Sequence, residues 1–151
     1  MIIGIDIDGV LTKKDWSTKL PDIFSYATYI AQLFVPTLIK RYILEADVQK
    51  GLEEFRQACS DHEIVVITAR PRFVEKETRK WLTEHLGLPI KSLHCVGLTR
   101  GIARRKFQAA QKEHVGLFID NRVRTVKYFN ENGIEAIRFT SWSQVPIKNI
   151  C

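Results

Sequence analysis

The chain has 151 residues, 45% hydrophobic and 26% charged, which is the scale of one domain and excludes a disordered or fibrous protein. Its 23 Lys and Arg against 17 Asp and Glu give a formal charge of +6, a balance that favours anionic ligands electrostatically. Three cysteines, Cys59, Cys95 and Cys151, show no CxxC spacing and no His at ligand distance, so neither a disulfide framework nor a zinc site is expected, and a cytoplasmic, reducing location is.

The opening MIIGIDIDGV is apolar but interrupted by Asp6 and Asp8 and lacks a basic flank, so it reads as a buried strand over residues 2–7 and not as a secretory signal. A polar segment follows, then Ile23, Ala27, Ile30 and Phe34 at helical spacing, with Pro36 expected to end that helix. A second short helix is expected over 37–44, and a third with Val48, Leu52 and Phe55 on one face, opening near Asp47. The stretch from Ile23 to Leu44 is long enough for a bilayer, but Gln32, Pro36, Lys40 and Arg41 fall inside it. Two charges there would cost roughly 2.5 to 3.5 kcal/mol each, so no membrane partner is expected.

Beyond this, strand and helix alternate. Strands are expected at 63–67, 92–96, 115–119 and 135–139, and helices at 73–85, 101–112 and 123–130, the last closed by Asn132-Gly133. Strands separated by such helices imply one parallel sheet with helices on both faces, and residues 1–151 read as a single domain carrying an insertion after the first strand.

In open parallel sheets, ligands bind beyond the carboxyl ends of the strands. Asp6 and Asp8 follow the first strand, Thr68 and Arg70 the second, and Asp120 and Asn121 the fourth. Carboxylates from distant parts of the chain therefore converge on one edge, where a cation would relieve their repulsion. Asp6 and Asp8, spaced i, i+2, face one pocket, and Gly9 lets the chain turn behind them. Oxygen ligands without His or Cys point to a hard cation, magnesium with a substrate phosphate being the commonest case. Arg70 and Arg122 beside this edge suit either a second anionic group or an ion pair with a neighbouring carboxylate.

DIDGVLT resembles the first signature of the haloacid dehalogenase (HAD) superfamily. VVITARP, with Thr68 after its strand, resembles the second, and FIDNR resembles the acidic last one, with Lys106 some fourteen residues before Asp120. ITARP and FIDNR look closest to the small 5'-nucleotidase-like and polynucleotide-phosphatase-like branches.

The resemblance implies a three-layer Rossmann-like fold with a small helical cap insertion at about 12–46, and Mg2+-dependent hydrolysis of a phosphomonoester. Asp6 would be the nucleophile that forms an aspartyl-phosphate, and Asp8 the acid and base. Thr68 and Lys106 would hold the phosphoryl oxygens, with Gly9, Ala69, Arg70 and Arg122 lining the substrate site. Asp6, the carbonyl of Asp8, Asp120 and Asn121 would hold the metal, although Asn121 replaces a second carboxylate common in relatives. Arg104, Arg105 and Lys112 compete with Lys106 for its role.

Trp16, Phe24, Tyr26, Tyr29, Phe34 and Tyr42 make the insertion apolar enough to roof the site, to pack on the core or to meet a second subunit. A small phosphorylated substrate such as a nucleotide is expected, with two alternatives. One is end-processing of nucleic acid, suggested by the basic charge; the other is a regulatory protein of the same fold that has lost turnover.

Overall fold

The structure, a computed structural model, describes residues 1–13 and 29–145. Five strands form one parallel sheet: β1 (Ile2–Ile5), β2 (Glu63–Thr68), β3 (Ile90–Cys95), β4 (Leu117–Asp120) and β5 (Glu135–Arg138), in the order β3-β2-β1-β4-β5. Between them run α1 (Tyr29–Leu44), α2 (Leu52–Ala58), α3 (Glu75–His85), α4 (Ile102–Lys112) and α5 (Val123–Glu131). The chain winds outward from β1 to β3 and then returns to β4. The direction reverses between β1 and β4, which is where a crevice opens in such sheets.

Residue alternation sorts the strands into two faces. Ile3, Ile5, Ile64, Val66 and Ile119 point to a layer built with Leu52 and Phe55 of α2 and Trp81 and Leu82 of α3. Val65, Ile67 and Phe118 point the other way, against Phe107 and Ala110 of α4 and Phe129 of α5. Phe118 stacks on Phe129 with ring centroids 4.3 Å apart, and Phe107 meets Phe129 edge-on at 5.4 Å. This crowding explains a glycine inside β1, because a Cβ at Gly4 would lie 2.5 Å from Phe118 Cδ2 and 2.9 Å from Val115 Cγ1. Beyond β5, Phe139 and Trp142 close the α2 layer, Trp142 lying 4.6 Å from Phe55.

Two elements depart from expectation inside the insertion. Pro36 does not end a helix: α1 runs through it to Leu44 as one element. Proline removes one backbone hydrogen bond, and packing of Ile39 and Ile43 against Val74 holds the half that follows. Lys40 also pairs with Glu77 of α3 at 3.2 Å, so this end of the insertion rests on α3. The next helix opens at Leu52 behind Gly51, not at Asp47. The residues before it are drawn into extended pairing with the turn after β1, where Lys13 N donates to Asp47 O (3.0 Å) and Gln49 N to Leu11 O (2.8 Å). Of the apolar insertion residues, Trp16, Phe24 and Tyr26 lie outside the described residues, as do the side chains of Tyr29 and Phe34. Among the described residues no helix is long and apolar enough to cross a membrane.

Trp81 joins the core to the insertion, being fully buried while its Nε1 donates to Ala46 O at 2.9 Å. Trp81→Phe should cost about 1 kcal/mol by removing that hydrogen bond, and Trp81→Ala about 3 to 5 kcal/mol by leaving a cavity as well. Urea denaturation of both variants checks this; an unchanged midpoint in Trp81→Phe would mean that the indole N–H contributes nothing.

Candidate active site

The site begins where β1 runs out. Asp6 N still donates to Ile119 O of β4 at 2.9 Å, so the nucleophile candidate is anchored to the sheet although it stands beyond the strand. The following turn closes on the Ile7 carbonyl, which accepts from the amides of Val10, Leu11 and Thr12 at 2.8 to 3.1 Å. The Thr12 hydroxyl also donates to Ile7 O and accepts from Gly9 N, both at 3.3 Å. Gly9 has φ +82°, and a Cβ there would collide with the Asn121 amide nitrogen. The segment DIDGVLT is thus a self-bonded turn whose Gly and Thr have backbone duties.

Parity along the strands decides which side chains meet. Asp6 continues the series of Gly4, and Asp120 that of Phe118, so both carboxylates leave the sheet toward α4. From α4, Lys106 is fully buried and places Nζ 2.7 Å from Asp6 Oδ2 and 2.7 Å from Asp120 Oδ2. The ammonium also stands 5.8 Å from the centre of the Phe118 ring. The remaining oxygens of the two carboxylates accept backbone amides: Ile7 N to Asp6 Oδ1 at 2.9 Å and Arg122 N to Asp120 Oδ1 at 2.7 Å.

A second buried pair lies alongside. Arg70, fully buried, grips Asp8 through both oxygens, Nη2 to Oδ1 at 2.7 Å and Nε to Oδ2 at 2.9 Å, while Nη1 donates to Thr78 Oγ1 at 3.3 Å. Two parallel N–H donors to one carboxylate fix its orientation as well as its charge. Thr68 Oγ1 lies 3.5 Å from Asp8 Oδ2 and accepts the Arg70 amide at 3.3 Å. Of the two roles open to Arg70, the geometry has the ion pair with a neighbouring carboxylate. Arg105, a competitor for the position of Lys106, instead points away from the carboxylates and donates to the carbonyls of Val96 (2.9 Å), Gly97 (3.1 Å), Thr99 (2.8 Å) and Arg100. Arg104 and Lys112 are exposed. Thr78 went unnoticed in the sequence, and Arg105 was weighed there only as a rival of Lys106, because a polar residue in an amphipathic helix carries no sign of a buried or backbone-directed side chain.

Asp6, Asp8 and Asp120 are thus buried, and among the described residues the buried cations beside them are Lys106 and Arg70. Burial pushes the Asp6 carboxyl up to about 7; Lys106 opposes this, and Asp120 and Asp8 add to it. Burial works against the Lys106 ammonium too, yet Asp120 and Asp6 together hold its pKa above the ordinary lysine value. A divalent cation fits this deficit of positive charge and an all-oxygen donor set. Among the described residues no three His, Cys, Asp or Glu side chains group closely enough to bind an ion alone, so Asp6 and Asp120 would need the Asp8 carbonyl and Asn121 beside them. Asn121 Oδ1 is buried and has no hydrogen-bond partner, an orphan that coordination would satisfy.

The raised Asp6 carboxyl sets a sign. Folded protein binds this proton more tightly than unfolded chain, whose carboxyl titrates near 3.8, so the contribution is full below about pH 4 and is lost as pH rises through about 7. Metal-free protein should therefore lose stability across that window relative to Asp6→Asn, which has no proton to release. Parallel urea midpoints for the two proteins from pH 4 to pH 8 would show instead that Asp6 is not the group concerned.

No protein-family model matches the chain, and no curated protein sequence does. Solved structures do resemble it. A hydrolase from Streptococcus pneumoniae TIGR4 superposes with a TM-score of 0.60 at 13% identity, covering 99% of this chain and 96% of that one. A HAD family enzyme from Bacteroides thetaiotaomicron, in complex with magnesium and inorganic phosphate, gives 0.57 at 12% identity over 96% of each chain. A chain of the Pnkp1/Rnl/Hen1 RNA repair complex gives 0.62 at 11% identity, over 91% of this chain and 42% of that one. At these identities the likeness is one of architecture, and it agrees with the five-stranded parallel sheet whose order reverses at β1: the chain has the fold of the haloacid dehalogenase superfamily.

Proposed function

We propose that the chain is a magnesium-dependent phosphomonoesterase that works through an aspartyl-phosphate on Asp6. The observation that carries this reading is the single ammonium of Lys106 held 2.7 Å from both Asp6 and Asp120 at the switch point of the sheet. Such a group neutralises a nucleophilic carboxylate without removing its lone pairs, and can follow charge onto a phosphoryl group as it arrives. The neighbour from Bacteroides thetaiotaomicron, complexed with magnesium and phosphate, supports the same chemistry.

Asp6, Asp120, the Asp8 carbonyl and Asn121 would hold the cation, which supplies positive charge against the phosphoryl oxygens and the attacking carboxylate. In the first half-reaction an Asp6 oxygen forms a bond to phosphorus while the bond to the leaving oxygen breaks, and Asp8 gives that oxygen a proton. In the second, Asp8 takes a proton from water, the water oxygen bonds to phosphorus, and the Asp6–phosphorus bond breaks. Splitting the displacement lets one carboxyl serve as acid and then as base. Thr68 offers its hydroxyl and Lys106 its ammonium to the phosphoryl oxygens, and the amides around Gly9 and Ala69 line the same space.

Arg70 positions Asp8 in this scheme. Both Asp8 oxygens accept from the guanidinium, which is the arrangement that receives a proton from water in the second half-reaction; delivery in the first requires one of these bonds to give way.

Activity should disappear in EDTA and return with Mg2+, measured as phosphate release. Full turnover by metal-free protein would remove the cation from the mechanism. Asp6→Asn should abolish turnover and any acid-stable or base-labile phosphate on the protein, because an amide oxygen is a poor nucleophile. Asp8→Asn should lose about 10² to 10⁴ of its rate on an alkyl phosphate and much less on an aryl phosphate, whose leaving oxygen needs little protonation. Single-turnover assays of both variants decide this: equal loss on the two substrates would show that Asp8 is not the acid.

A further inference from the structure

A groove of about 690 Å³ opens beside the active site, between the loop after β3 and the first turn of α5. Leu98, Arg100, Ile102, Arg122, Val123 and Arg124 line it, and no acidic residue does. It shares its walls with the catalytic elements. Arg122 gives its amide to Asp120, and Ile102 opens the helix that carries Lys106.

Three features distinguish this groove from ordinary surface. The first is uncompensated charge: Arg100 and Arg124 are exposed, and among the described residues neither is paired with a carboxylate. The contrast is with the cavity along α3, where Arg79 pairs with Glu75 and Lys80 with Glu84, leaving little field for an anion. The second is exposed apolar area among the arginines, with Val123 at 55% exposure. The third is preorganisation. The four carbonyl contacts of Arg105 staple residues 96–100 to α4, so the position of Arg100 is set before any ligand arrives. Ordering a loop in advance removes that cost from binding.

Resting on the phosphomonoesterase reading, we propose that this groove is a leaving-group subsite that recognises a second phosphate, so that the substrate is a phosphomonoester whose leaving group is itself phosphorylated. Arg100 and Arg124 hold that phosphate, and Leu98, Ile102 and Val123 pack against the body joining the two phosphates. A nucleoside bisphosphate and the phosphorylated end of a nucleic-acid strand share this chemistry.

The test compares kcat/KM of the full chain with Mg2+ on 4-nitrophenyl phosphate, thymidine 3'- and 5'-monophosphates, thymidine 3',5'-bisphosphate, and oligothymidylates phosphorylated at the 3' or 5' end. The second phosphate should raise kcat/KM about tenfold or more over the monophosphates, mostly through KM. The double variant Arg100→Ala/Arg124→Ala should erase that gain and leave 4-nitrophenyl phosphate turnover unchanged. Oligothymidylate surpassing the bisphosphate identifies a strand end as the source, and equality identifies a small bisphosphorylated molecule. No gain in the wild type, or a gain that survives in the double variant, overturns the proposal. A wild type inactive on every substrate would defeat the phosphatase reading while leaving the groove testable by fluorescence anisotropy of a labelled 5'-phosphorylated oligothymidylate. There, about fivefold weaker binding by the double variant supports the subsite, and unchanged binding overturns it.

Discussion

The buried ammonium of Lys106 is the constraint on which the arrangement of the site depends. It stands between two carboxylates that leave neighbouring strands on the same side, and none of the three groups is exposed to water. Removing one partner from such a cluster costs about 3 to 5 kcal/mol, because the others remain buried and unpaired. The strand ends and the second turn of α4 are therefore held in one register by charge as well as by the packing of Phe107, Phe118 and Phe129 beneath them. The aromatic layer sets the depth at which α4 rides over the sheet, and that depth is what lets one lysine reach both strands.

The charges divide into two groups with different freedoms. Lys106 is shared, and a shared cation leaves each carboxylate short of full compensation, which is why burial can push Asp6 up to about 7. Asp8 has a guanidinium to itself, locked by the fork and backed by Thr78. One carboxyl is thereby left wanting a further cation, and its neighbour two residues on is oriented but not crowded. The roles proposed for them, nucleophile and proton carrier, need these unlike surroundings, and the surroundings arise from which helix lies behind each residue: α4 behind Asp6, α3 behind Asp8.

Much of the frame was legible in the sequence because it follows from periodicity. Strand and helix alternation after residue 63 implied the parallel sheet, and polar residues placed just past apolar runs implied the edge at which they meet. Boundaries slipped by one or two residues where hydrogen bonding, not hydropathy, decides: β3 starts at Ile90 and β4 ends at Asp120. Pro36 misled because packing outweighed one missing hydrogen bond. Asp47 misled because its neighbours pair with residues 11–13, a long-range contact without local signature. The direction of an arginine is equally invisible in a one-dimensional reading. Arg70, Arg104 and Arg105 look alike on paper, yet one grips a carboxylate, one is solvated and one binds four carbonyls, depending on the wall that each faces.

The adjacency of β1 and β4 also orders events in time. Asp6 donates its amide to Ile119, and its cation partner Lys106 comes from α4, so the residues that complete the site are separated from Asp6 by about a hundred positions of chain. At cellular synthesis rates that interval is on the order of ten seconds, during which β1 can pair with β2 but has a bare flank where β4 will insert. Pairings at such separation close late and slowly. A ribosome-bound fragment ending before residue 106 would hold DIDGVLT and its turn without the strand or the cation that Asp6 pairs with, so Asp6 and Asp120 acquire their shared partner only when the sheet is completed, and not in the order in which they are made.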